Sequence, residues 1–225
     1  MNIKMAGVGA MTAIAALCAG TAQAGKSPVP QMSHVGVLQA TQNSPDKALF
    51  NNSIDDSGIA IVSQNFESSF DVYDNQAADD FKIPAAQTWT VTEVDVTGQY
   101  FNGPGPAVSE TVTFYKAKQG KPGAKLSQQT VTGVDNGTGS FKITLPSAVI
   151  LGGGKYFVSV VVNMDFAVGG EWGWENRSTM GGKYAAQWKN KGDGFATGCV
   201  DWGEEDVCIA SGQGPDHMFI LKGTK

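Results

Sequence analysis

The sequence predicts an all-β protein: an antiparallel, jelly-roll-like β-sandwich with an irregular N-terminal arm. Three observations carry that expectation. Apolar and polar residues alternate at period two in several short runs, the pattern of half-buried strands. These runs recur about every 8–15 residues with Gly and Pro between them, as in sandwiches and jelly rolls. Glycine is abundant at 29 of 225 residues and charge is sparse at 16%. That composition excludes a coiled coil and a charged disordered chain.

The first element is a predicted export signal over residues 1–24. Lys4 gives it a positive start, Met5 to Ala19 are small and apolar, and Ala22-Gln23-Ala24 fits a cleavage site ahead of Gly25. The mature chain is therefore expected in the periplasm or outside the cell. No later apolar run reaches ~18 residues, so membrane insertion is not expected. Arginine occurs once, at Arg177, and the net charge is −5. A nucleic-acid surface needs clustered cations, so that partner class is excluded. Cys18 leaves with the signal. Cys199 and Cys208 remain as an even pair in an oxidising compartment, and a disulfide closing a short acidic loop is expected. Loop-closure entropy for so short a loop contributes about 2–3 kcal/mol at most.

Residues 25–57 read as the arm, with at most a short helix after Ser44-Pro45-Asp46. Residues 58–225 read as one sandwich domain. In residues 88–101, Trp89 and Val91 share one face but Val94 and Val96 share the other. The phase slip near Thr92 predicts a β-bulge or a bend. Val112 and Phe114 mark the next strand, ended by a turn at Lys121-Pro122-Gly123. Asp135-Asn136-Gly137 is a tight-turn signal, because Asn and Gly tolerate positive φ. Phe141, Ile143 and Leu145 then alternate with polar neighbours, and Gly152-Gly153-Gly154 predicts another turn. From Tyr156 to Phe166 every second residue is apolar, with Phe157 and Val161 on the opposite face, as in a central strand. Phe219 and Leu221 close the fold.

Two constellations carry candidate chemistry. Four of the five tryptophans, Trp172, Trp174, Trp188 and Trp202, lie within 31 residues. Exposed indoles stack on the apolar faces of sugar rings, and Glu171, Asn176 and Arg177 are polar partners that could orient hydroxyls. The competing reading places these rings in the core, where aromatics contribute most. The second constellation is Asp71, Asp74, Asp79 and Asp80, oxygen donors of the kind calcium takes, although clustered Asp also forms turns and solvated edges. The chain lacks the nucleophile elbow, zinc-protease and phosphate-loop motifs. His217 begins an apolar strand, where a structural role is expected. Glu171 or Glu175, with a nearby acid, is the first candidate for a glycoside-hydrolysis pair.

Residues 77–101, AADDFKIPAAQTWTVTEVDVTGQYF, and 109–123, SETVTFYKAKQGKPG, resemble a family of exported bacterial jelly-roll-like β-sandwich domains. DFAVGGEWGWENRS, GFATGCVDWGEEDVC and GPDHMFILKG in the second half extend the resemblance to residues 58–223. It implies a sandwich module of secreted or surface proteins and transfers no functional residue. Relatives often add repeats, a protease domain or a C-terminal anchor. Here Leu145-Pro146-Ser147 lacks the Thr-Gly of a sortase signal, and no apolar tail follows.

Three functional expectations result. The first is a non-enzymatic module binding a glycan or cell-surface polymer, with calcium as a structural support. The second is a structural or interaction protein of the envelope or matrix, with a protein partner. The third is a small polysaccharide hydrolase. Loss of binding against loss of stability in tryptophan variants separates the first two.

Overall fold

A computed structural model describes residues 31–33, 47–209 and 214–225. The export segment, its cleavage point at Ala24-Gly25, His34 and the Ser44-Pro45-Asp46 helix start lie outside the described residues.

The strands run in chain order as β1 (Gln31–Ser33), β2 (Lys47–Asn51), β3 (Asp56–Val62), β4 (Gln64–Asn65), β5 (Asn75–Val96), β6 (Gly98–Phe101) and β7 (Ser109–Lys118). They continue as β8 (Lys121–Thr132), β9 (Phe141–Asn163), β10 (Glu171–Arg177), β11 (Gln187–Asn190), β12 (Gly203–Glu204), β13 (Asp216–His217) and β14 (Phe219–Thr224). A 3-10 turn covers Ser68–Tyr73, and two one-turn helices cover Phe166–Gly169 and Glu205–Cys208.

Among the described residues these strands make two sheets. The larger has nine strands in the order β12-β11-β5-β9-β7-β8, with β14 and β2 added along β5 and β4 set parallel to the end of β9. The smaller has five, β1-β3-β10-β13, with β6 also on β10. All other pairings are antiparallel. The sheets face each other across one core, to which Ile61 and Val62 (β3), Phe81 (β5), Val158 and Val160 (β9) and Phe219 (β14) contribute. This is the expected all-β antiparallel sandwich.

The slip predicted near Thr92 is a register shift between Val91 and Glu93. Opposite it, β9 passes from Thr144 to Val149, so its intervening residues bulge out of the ladder. The shift lets Trp89, Val91, Val94 and Val96 all be buried despite their opposite phases. β9 pairs with β5 on one side and β7 on the other, as expected of a central strand.

Three local expectations change. Gly152-Gly153-Gly154 is not a turn: β9 runs through it. The glycines let another strand approach, because a Cβ on Gly153 would lie 2.5 Å from the Ala85 backbone. The β7–β8 turn falls at Gln119-Gly120, with φ of 53° and 80°, ahead of the Lys121-Pro122-Gly123 expected to form it. Two positive φ values suit the right-handed twist of a two-residue hairpin. The 25–57 segment supplies two short strands, β1 on β3 and β2 on β14, and the start of β3. Lys47–Asn51 is a strand in an arm expected to be irregular with at most a short helix.

Candidate functional site

The tryptophan platform is the main correction. Trp172, Trp174 and Trp188 are 0% exposed. Their indole N–H groups donate to the carbonyls of Gly139 (2.7 Å), Met218 (2.9 Å) and Val62 (3.1 Å). Trp172 and Trp174 share a face of β10, as their spacing requires, and that face meets the other sheet. They are core residues with satisfied polar handles.

Their proposed polar partners are buried too. Glu171 accepts from Asn102 at 2.7 Å. Asn176 donates to Glu205 and to the Gly214 carbonyl. Arg177 donates to the Ile54 carbonyl at 2.8 Å, to Asp55 at 3.1 Å and to Asn52. β10 has β3 along one edge and β6 and β13 along the other, so these side chains brace neighbouring segments. Burial raises the Glu171 carboxyl to about 7. Burial, with Asp56 nearby, raises Glu175 to about 9. The two glutamates share a face four residues apart, about 13 Å along an extended strand. Carboxylate pairs in glycoside hydrolysis stand roughly 5–9.5 Å apart, so they do not form one.

The four aspartates do not form one ligand set. Asp71 is exposed on the 3-10 turn. Asp74 accepts from the Phe66 N–H at 2.8 Å. Asp79 and Asp80 are buried and, as strand neighbours, point to opposite faces. Asp79 accepts from the His217 N–H at 2.8 Å. Asp80 accepts from the N–H groups of Lys183 (2.9 Å) and Tyr184 (3.0 Å). Asp216 holds the next part of the same segment through the Gly182 N–H at 2.9 Å. These carboxylates clamp the 181–184 loop onto the sheet. Burial raises the pKa of Asp79 and of Asp80, and the Asp216 charge adds to both. Among the described residues no three His, Cys, Asp or Glu side chains are grouped to hold a metal ion. His217 is fully buried, stacked on Trp174 at 4.5 Å, with Nε2 3.0 Å from Glu205.

The face of the larger sheet turned away from the core offers a different site. Strand alternation places Gln76 and Ala78 (β5), Thr111, Thr113 and Tyr115 (β7), Phe157, Ser159, Val161 and Asn163 (β9) and Lys189 (β11) on this far side. At one end an apolar patch forms, with Ala78, Tyr115 and Phe157 covered by Tyr184 and Trp202. Beyond it lies a trough of about 320 Å³, lined among others by Asn65, Gln76, Gln128, Asn163, Lys189 and Lys191. Side chains in this region are held in place by their neighbours. The Gln76 amide donates to the Tyr115 hydroxyl (3.1 Å) and to Ser159 Oγ (2.9 Å). The Asn163 amide donates to Thr111 Oγ1 (3.0 Å) and to Ser109 Oγ (2.9 Å).

Trp202 is the half-buried member of the tryptophan group. It meets Tyr115 edge-on at 5.9 Å, and the Lys189 ammonium lies 4.3 Å from its ring centre. Lys121 donates to its carbonyl at 2.7 Å. The expected disulfide Cys199–Cys208 is formed and closes the loop that carries this ring. Gly203 lies under the bridge, where a Cβ would come 2.5 Å from Cys208 Sγ. Sequence reasoning missed Gln76, Gln128, Asn163 and Lys189. The available signal was the polar half of the alternation in β5 and β9.

A larger hollow, about 690 Å³, separates β8 from residues 146–151 of β9. Its lining is Ser, Thr, Gln and apolar residues with no charged group among the described residues, which leaves the smaller trough as the better-equipped polar site.

No protein-family model and no curated protein matches the chain. Among solved structures it is similar to the cysteine protease and lectin-like domains of Cwp84, a surface layer associated protein of Clostridium difficile. The identity is 13% and the TM-score 0.43, over 67% of this chain and 32% of that one. The match thus spans about a third of the length of that solved chain.

Proposed function

We propose that this protein is an exported, non-enzymatic binding module that takes a glycan or cell-surface polymer in the trough on the open face of its larger sheet. One observation carries the reading: amides, a hydroxyl and two ammonium groups converge on one β surface beside a half-buried tryptophan. The Gln76 and Asn163 N–H groups are held by neighbours, so these amides offer a polyhydroxylated ligand their acceptor oxygens, while the ammonium groups donate. A site built on strands also holds its geometry with little ordering cost on binding. The Cys199–Cys208 bridge and the expected signal at 1–24 support an oxidising, exported location. Hydrolysis of a glycan needs two flanking carboxyls, and one carboxylate, Asp74, lines the trough.

The test is affinity electrophoresis of the exported protein through gels containing cellulose derivatives, soluble chitin, mixed-linkage glucan or polyuronates. Retardation by at least one polymer is expected, weakened about tenfold or more in Gln76→Ala and Lys189→Ala. If the wild type migrates freely through every polymer, the reading fails. Equal retardation of both variants would put the binding surface elsewhere.

A structural or interaction role is the second reading. β8 forms an edge of the larger sheet, and Leu126 on it and Ile150 across the hollow are 49% and 70% exposed. Open edges and exposed apolar groups favour a protein partner. Concentration-dependent self-association in light scattering, together with free migration in the gels, would favour it over the first.

A further inference from the structure

The trough has a charge bias opposite to that of the whole protein. The chain carries a net charge of −5, with 21 acidic residues against 16 Lys and Arg. Of the eleven residues lining the trough, two are lysines, Lys189 and Lys191, and one is acidic, Asp74. Asp74 has one carboxylate oxygen committed to the Phe66 N–H at 2.8 Å. The other polar lining groups are neutral amides and a hydroxyl. The two lysines therefore leave a local positive excess in a cleft of an otherwise acidic molecule.

Lys189 is also held in position. Its ammonium sits over the Trp202 ring, and Trp202 is itself fixed by Tyr115, by Lys121 and by the disulfide loop. Placing a half-buried ammonium here is costly. Burial lowers its pKa, partly countered by Asp201, while Lys191 adds to the lowering. An anion between the two lysines would offset that cost, and the low dielectric of a cleft strengthens the attraction.

We infer that the trough selects acidic glycans, with Lys189 and Lys191 together engaging a uronate carboxylate while the Gln76 and Asn163 amide oxygens accept from neighbouring hydroxyls. This rests on the glycan-binding reading above and narrows its ligand class. A neutral sugar would bring no charge to offset the mutual repulsion of the two ammonium groups.

The test uses one polymer in two charge states: polygalacturonate and its fully methyl-esterified form. The backbone is shared, and the carboxylate charge is removed. Calorimetry at low salt should show the acid form binding at least about tenfold tighter than the ester. The preference should shrink as salt is raised from 20 to roughly 500 mM, because screening shortens the range of charge interactions. Lys189→Met keeps the alkyl stem over Trp202, and Lys191→Gln keeps a polar group. Each should remove most of the difference between acid and ester, with near-ultraviolet circular dichroism unchanged. Equal binding of both forms overturns the inference and leaves the glycan-binding reading standing. So does binding of neutral polymers alone. Failure to bind any polymer, acidic or neutral, overturns both. Should a lysine variant lose its near-ultraviolet signal, the wild-type comparison of acid and ester still decides.

Discussion

Replacing Trp172 and Trp174 by Phe, one at a time, measures what their buried N–H groups contribute to the core. Both are fully buried and each has one stacked ring neighbour, Phe141 at 5.3 Å for Trp172 and His217 at 4.5 Å for Trp174. Phe keeps a six-membered ring for that stack, so the packing losses are comparable, about 1–2 kcal/mol each. The polar losses differ. The Met218 carbonyl that accepts from Trp174 also accepts from the Thr97 N–H at 3.2 Å, so it keeps a partner in the variant. Losing one such bond costs about 0.5–1.5 kcal/mol. The Gly139 carbonyl that accepts from Trp172 sits on a buried residue where a second donor is not evident, and orphaning it costs about 1–3 kcal/mol. Trp172→Phe should therefore be the more damaging by about 1 kcal/mol. In a chain of this length that separates the melting temperatures by about 2–4 °C. Thermal and urea unfolding of the two variants, followed by circular dichroism, measures it. Equal losses, or the reverse order, would refute the hydrogen-bond accounting. Unchanged stability with loss of glycan retardation would restore the exposed-platform reading.

Two further predictions concern the disulfide and pH. Cys199→Ser with Cys208→Ser, or reduction of the wild type, should lower stability by about 2–3 kcal/mol. It should also weaken polymer retardation, because the loop fixing Trp202 beside Lys189 is released; unaltered retardation under reductant would separate that loop from the site. Burial raises the carboxyls of Glu171 and Glu110 to about 7 and of Glu175 to about 9, with Asp135 adding at Glu110 and Asp56 at Glu175. A carboxyl whose folded pKa lies above its ordinary value of 4.5 binds its proton more tightly in the folded state. The associated stability is complete below pH ~4.5 and is lost as pH rises through the folded values. The melting temperature should therefore fall between pH 5 and about 9, and Glu171→Gln should flatten the lower part of that fall. A melting temperature that climbs across this window would contradict the assignment.

Much of the strand architecture is legible in the sequence because the pleat is a local rule. Phe141, Ile143 and Leu145 declare a strand by alternation alone, and the clash of phase between Val91 and Val94 announces the bulge that the ladder contains. The cysteine pair is legible for the same reason: two cysteines separated by nine positions have few ways to be satisfied in an oxidising compartment. Gly152-Gly153-Gly154 misleads because a glycine needed for a turn and one needed for a close crossing look alike; Ala85, far away in sequence, decides between them. The tryptophans show the limit most clearly. Their spacing states that Trp172 and Trp174 share a face, but which face meets solvent depends on where the second sheet packs. The trough is likewise a product of assembly, since Gln76, Thr111, Gln128, Asn163 and Lys189 come from five strands and converge only when the register of each strand is set. Alternation along one chain segment determines a strand and its two faces. The tertiary structure alone chooses the buried face, because burial is a contact between segments far apart in sequence.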